Sequence, residues 1–325
     1  MTSFEGDAPA SQISIIGVPC GLGGGHQGTA HGPNAARAGG LSQRLGMICP
    51  TVDCGDLGPL EVINCGRAGF VTEWCRMVRP RTRALVLEGT MPLVVGGDHA
   101  IATGSMSGAC AGYRAEHGKA PGLLWIDAHV DLNTHETTPS GNLHGMPAAA
   151  LLGWEIPILS EIVGADGCFD RSRMAFVGAR DIDPGEKRHL EESGIAIWSS
   201  RDVKEHGVER VMTDALEVVS PGHEPFCLSF DIDVVDPKHA PGVDTAVPDG
   251  LLPAEAMECM ARAGAHGRIV SMDLVELNPE HDIDGRTAMI AVDCITAAVE
   301  SMRAEADFRQ APPDPGQART RTPPA

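Results

Sequence analysis

Aspartate and histidine recur in tight groups: Asp98 with His99; Asp127, His129 and Asp131; Asp181 with Asp183; Asp231 with Asp233; and Glu276 further on. A single aspartate after an apolar run is ordinarily a helix cap or a turn residue. Five such coincidences, with D-x-D and D-x-H-x-D among them, need another reason. Carboxylates and imidazoles packed this closely would repel or go unsatisfied in a dry core. Divalent cations remove that problem. Histidine mixed with several aspartates suits manganese, iron, cobalt or zinc, and bridging carboxylates suit two metals held a few ångströms apart.

Such groups need a scaffold that gathers them at one edge. Short apolar runs rich in β-branched residues at 13–19, 92–97, 122–128, 174–180, 195–200, 226–233 and 268–276 read as strands. They are continuous rather than alternating, as strands covered on both faces are. Segments 100–118, 201–219 and 253–266 have helical length and composition, the last opened by Pro253, and a final helix is expected over 285–304. This alternation predicts an α/β fold with a mostly parallel sheet and helices on both faces. No repeat or linker interrupts it, so one domain is expected over 1–304, followed by a Pro-rich, disordered tail over 305–325. Open α/β sheets bind ligands at the carboxyl ends of their strands, where these acids and histidines fall.

The blocks GGDH (96–99), DAHVDLN (127–133), SGNLHGMP (140–147), ARDIDPGE (179–186), SFDIDVVDP (229–237) and VELNP (275–279) resemble the signature blocks of the ureohydrolase family. They stand in the family's order, and SGNLHGMP resembles the arginases within it. The resemblance implies a three-layer αβα fold and two Mn²⁺ ions per subunit. One ion would be held by His99, Asp127, Asp131 and Asp231, and the other by His129, Asp127, Asp231 and Asp233. Four aspartates then balance two divalent ions, and a bridging hydroxide leaves one negative charge opposite a guanidinium.

The implied reaction is hydrolysis of the guanidino group of L-arginine to L-ornithine and urea, with trimers or hexamers as the expected assembly. Asp131 would orient the attacking oxygen, His144 would protonate the leaving amine, and Glu276 would grip the guanidinium with both oxygens. Thr245 falls at another matching position near the metals. Asn133, Ser140 and Asn142 would receive the substrate carboxylate. Asp183, with Asp181 or Glu186, would receive its ammonium. Agmatine has no carboxylate to grip, which favours arginine.

The chain departs from the family pattern at Ala100, where serine is usual, and at Asp244, Ala246 and Asp249, where Gly, Pro and Gly are typical. Extra negative charge beside the guanidinium pocket would favour another substrate: N-hydroxyarginine, agmatine or guanidinobutyrate. Two readings from other classes are a single-zinc amide deacetylase of the related fold and a catalytically silent regulatory homologue. The full carboxylate set argues against the first, and the intact ligands with His144 argue against the second. The segment GVPCGLGGGHQG (17–28) places His26 where the third glycine of a dinucleotide loop belongs. It reads instead as a flexible loop at the substrate edge.

Composition narrows the partners. With 44 acidic against 25 basic residues the formal net charge is −19, which disfavours nucleic acid and anionic membrane surfaces and suits a small cationic substrate. Ten cysteines include no C-x-x-C pair, so they read as free thiols. No signal segment or bilayer-length apolar run is visible, and a cytoplasmic location is expected.

Overall fold

The computed structural model describes residues 12–58, 66–164 and 166–310. Eight strands form one sheet: β1 (Ile13–Val18), β2 (Thr51–Asp56), β3 (Met91–Gly96), β4 (Gly122–Ile126), β5 (Met174–Ala179), β6 (Ala196–Ser199), β7 (Phe226–Asp231) and β8 (Ile269–Val275). Their order is β2-β1-β3-β8-β7-β4-β5-β6, and every pairing is parallel.

Because successive side chains of a strand point to opposite faces, each strand divides its apolar residues between two cores. Ile13, Ile15, Leu124 and Ile126 join Leu41, Val211, Met260 and Ile295 on one face. On the other, Ile16 and Val18 meet Cys75 and Val78, while Leu123 and Trp125 meet Met106 and Tyr113. Helices on both sides of the sheet make three αβα layers. Each buried Ile, Leu or Phe contributes about 1.5–3 kcal/mol. Gly104, Gly108 and Gly112 line one face of the helix Ala102–His117. A Cβ there would fall 2.5, 2.3 and 2.9 Å from the carbonyl oxygens of Cys75, Arg79 and Arg83, so only glycine lets the helix Gly66–Leu87 approach this closely.

Three expectations need correction. The edge strand β2 was not foreseen; its polar sequence TVDCGD leaves most residues exposed. The expected helix over 201–219 is two, Ser200–His206 and Val208–Val219, divided at Gly207, whose φ of +82° no helix accommodates. The final helix, Arg286–Gln310, runs past residue 304, where the tail was placed. The rest of that tail, 311–325, lies outside the described residues. Among the described residues no helix is long and apolar enough to cross a membrane.

The four central strands β3, β8, β7 and β4 are neighbours, and their carboxyl ends lead into His99, Glu276, Asp231 and Asp127. Register keeps these ends level: Ile126 pairs with Phe230, and Asp231 with Val275. The adjoining β5 leads into Asp181 and Asp183.

Candidate metal centre

Past β3, the Asp98 side chain accepts hydrogen bonds from Gly23 N (2.7 Å) and Ala100 N (3.1 Å), starting the turn that carries His99. His99 Nδ1 faces Oδ2 of Asp127, Asp131 and Asp231, each at 3.1 Å. Its Nε2 lies 2.8 Å from Ser229 Oγ, and Ser229 donates to Asp273 Oδ1 at 2.7 Å. Ser105 donates to the other Asp273 oxygen at 3.0 Å. A serine hydroxyl that spends its proton on Asp273 can only accept from His99. The neutral imidazole therefore carries its proton on Nε2 and turns a bare Nδ1 toward the carboxylates. Trp125 stacks on the His99 ring at 4.2 Å and donates to Asp127 Oδ2 at 2.9 Å.

A second group adjoins the first. His129 Nδ1 lies 3.1 Å from Asp233 Oδ2 and 3.4 Å from Asp127 Oδ1, and Thr245 Oγ1 donates to Asp233 Oδ2 at 3.1 Å. The ligand atoms of His99, Asp127 and Asp231 form one cluster, and those of Asp127, His129 and Asp233 another. Asp131 turns back into the site through a left-handed backbone (φ +49°), uncommon outside glycine.

The electrostatics are those of a cation site. Burial raises the Asp231 carboxyl well above its usual range, and Asp233 and Asp127 add to the rise. Burial and Asp127 lift Asp131 to about 6. Burial would depress His99, but Asp127, Asp131 and Asp231 outweigh it and raise the imidazole. In His129 burial is likewise outweighed, mainly by Asp233 and Asp127. Protons and divalent ions thus compete for the same nitrogens. The buried His99 Nδ1 and Asp131 Oδ2 have no hydrogen-bond partner, a costly omission that a coordinated metal ion would repair. The donor set of imidazole and carboxylate, with no thiolate, fits a divalent ion such as manganese, iron, cobalt or zinc.

Glu276 follows β8 with a φ of +61°. Its Oε1 accepts from His99 N at 2.7 Å and lies 2.9 Å from His144 Nδ1, while its buried Oε2 has no partner. The expected grip by both oxygens is therefore corrected, because one is already committed. The Glu276–His144 pair was not anticipated. Burial would lower the His144 pKa, but Glu276 beside it prevails and lifts it to about 9.

A cleft of about 240 Å³ opens over these groups. Its lining includes His99, His129, Asp131, Asp231, His144, Glu276 and Thr245, together with Asn133, Ser140, Asn142 and Asp183. Asp127 and Asp233 lie beneath, buried against the two histidines. Asn133 Nδ2 donates to Asp183 Oδ2 at 2.8 Å, and Arg67 donates to Asn142 Oδ1 at 3.2 Å. Glu186 accepts from Leu132 N (3.0 Å) and Asp183 N (2.9 Å), and burial lifts its carboxyl to about 8. Thr138 and Gly145 also line the cleft and were missed; Thr138 sits in loop 133–142, which has no periodicity to expose it, and Gly145 ends the turn Leu143–Gly145 beside His144.

The unusual loop acids do not enter this lining. The Asp244 side chain accepts from Asn278 Nδ2 and lies 3.5 Å from His281 Nδ1, and Asp249 offers its carbonyl to Lys204. Asp244 stands beside the cleft-lining Thr245, but neither it nor Asp249 adds charge to the lining itself.

Residues 11–300 match the model of the Arginase family. The chain belongs to the Arginase family. The arginase of Bacillus caldovelox is 38% identical over 86% of this chain and 95% of its own length, and that of Bacillus subtilis is 34% identical over 87% and 96%. A solved structure of the Bacillus caldovelox arginase superposes with a TM-score of 0.82 at 35% identity, covering 90% of this chain and 98% of that one. As an Arginase family member the protein is a hydrolase of linear amidines with a binuclear metal site, and the two His/Asp clusters fit that dependence. The single-zinc deacetylase reading falls away.

Proposed function

We propose that this protein hydrolyses the guanidino group of L-arginine to L-ornithine and urea, using two Mn²⁺ ions held by His99, Asp127, Asp131 and Asp231 and by His129, Asp127, Asp231 and Asp233. The observation that carries the choice of substrate is the shared cleft. Asn133, Ser140, Asn142 and Asp183, suited to an α-amino acid head, line the same 240 Å³ as the metal-binding histidines. The curated arginases at 38% and 34% identity point the same way. A homo-oligomer, trimeric or hexameric, in the cytoplasm is proposed from the family resemblance.

When bound, the two ions supply Lewis acidity that brings the pKa of water down toward neutrality. The chain's own residues do the rest. Glu276 Oε2 receives a guanidinium N–H, its other oxygen being fixed by His99 N and His144. Asp131 turns Oδ2 to the metal side, facing His99 Nδ1, and with its other oxygen accepts a hydrogen bond from the attacking water, aiming it at the guanidinium carbon. His144, with Nδ1 on Glu276, presents Nε2 to the leaving amine and protonates it. Ser140 and Asn142 receive the carboxylate. Asn133 holds Asp183, which with Asp181 receives the ammonium, while Glu186 fixes the Asp183 main chain from below.

Specificity constants for arginine, N-hydroxyarginine, agmatine and guanidinobutyrate test this reading. Arginine is expected to rank first, with agmatine at least about a hundredfold lower, because it leaves the carboxylate grip unpaired. Agmatine or guanidinobutyrate above arginine would overturn the assignment.

A further inference from the structure

Arg180, the first residue after β5, spends its side chain entirely on main-chain carbonyls. Nη2 donates to Asp233 O and Val247 O, both at 2.8 Å. Nη1 donates to Val234 O at 3.1 Å and Gly178 O at 3.4 Å. Nε is shared between Pro248 O at 3.1 Å and Val247 O at 3.3 Å. The main chain continues the pattern: the N–H groups of Arg180 and Asp181 both donate to Ala128 O, at 2.8 and 3.1 Å. One residue thus joins three segments: the turn carrying Asp127 and His129, the turn carrying Asp233, and the loop carrying Thr245.

These three segments carry the whole of the His129–Asp233 side of the centre, and share only Asp127 with the His99 side. His129 Nδ1, Asp233 Oδ2 and Thr245 Oγ1 meet there, whereas His99 is held separately by Ser229, Asp273 and Ser105. A planar fork with five donors satisfies carbonyls on several segments at once, which an ammonium with three donors on one atom cannot. Gly250 lets the loop close on both the Asp236 main chain and Arg180: a Cβ there would lie 2.5 Å from Asp236 N and 2.7 Å from Arg180 Nη2. The loop also carries Ala246, which lacks the ring that fixes φ in the usual proline of this position, so its order depends more on bonds from outside.

We infer that Arg180 is a positioning residue for the His129–Asp233 half of the centre, holding Asp233 and the Thr245 loop in register for the second metal ion. The inference rests on the binuclear reading above. It assigns the two ions unequal dependence on one side chain.

The test is Mn²⁺ titration of metal-free wild type, Arg180→Lys and Gly250→Ala, followed calorimetrically, with thermal melts in chelator. Wild type is expected to bind two ions. Arg180→Lys is expected to weaken one ion by about 10- to 100-fold and leave the other unchanged. Gly250→Ala, whose methyl group meets the Asp236 main chain and Nη2 and leaves the charge in place, should weaken the same ion and leave the other unchanged, and serves if Arg180→Lys does not fold. Equal weakening of both ions, or two wild-type affinities in a folded variant, would overturn the inference. A wild type that binds fewer than two ions would instead sink the binuclear reading.

Discussion

Asp231→Asn is expected to strip the centre of metal and lower arginine turnover by at least about a thousandfold, roughly 4 kcal/mol of lost transition-state stabilisation. Asp231 belongs to the cluster with His99 and Asp127: its Oδ2 lies 3.1 Å from His99 Nδ1, and its Oδ1 accepts from the main-chain N of Asp233 at 2.8 Å. Asparagine keeps the shape but removes one of four charges balancing two divalent ions and presents a donor where a ligand oxygen is needed. Stability should move the other way. Burial holds the Asp231 carboxyl well above its usual range, with Asp233 and Asp127 adding to the rise. A raised carboxyl pKa gives stability that is present at low pH and lost as pH rises through the folded value. At neutral pH the ionised form is therefore a burden on the metal-free protein, and asparagine relieves it. Melting in chelator at pH 7 should show Asp231→Asn at least as stable as wild type, while metal analysis shows it depleted. Two retained ions with near-normal turnover would contradict the proposed role of Asp231 as a metal ligand.

His144→Asn separates chemistry from metal binding. No metal ligand is touched, so ion content should be unchanged. The proton for the leaving amine is lost, and kcat should fall by about 10²- to 10⁴-fold. Glu276 prevails over burial and raises the imidazole to about 9 in the metal-free protein, so the acid form persists through neutrality and is lost at alkaline pH. The wild-type decline of kcat on the alkaline side should accordingly vanish in the variant. Full activity in His144→Asn, or an unchanged pH profile, would refute the proton-donor role.

The chemistry of this chain was legible where it is written in adjacent residues. DAHVDLN and SFDIDVVDP bring ligands together within a single turn, and buried parallel strands announce themselves as unbroken apolar runs. What stayed hidden depends on distant partners. The His144–Glu276 pair spans 132 positions, and the Ser105–Asp273 and Ser229–Asp273 bonds behind His99 span 168 and 44. Asp273 lies inside β8, its carboxyl raised by burial and engaged with two serines. The helix Gly66–Leu87 was obscured by Pro80, which ordinarily breaks a helix; here the packing against Gly104, Gly108 and Gly112 holds it. The Asp244 loop shows the same failure. Its charge was plain, yet the partner that takes it, Asn278, lies 34 positions away.

The central claim is attack of metal-activated water on the guanidino carbon of arginine. It is tested most directly by reacting metal-free and Mn²⁺-reconstituted protein with L-arginine in ¹⁸O-water and analysing the products by mass spectrometry. Label in the urea oxygen, equimolar unlabelled ornithine, and no turnover without metal are the predicted result. Labelled citrulline with ammonia in place of urea, or urea formed equally by the metal-free protein, would contradict it.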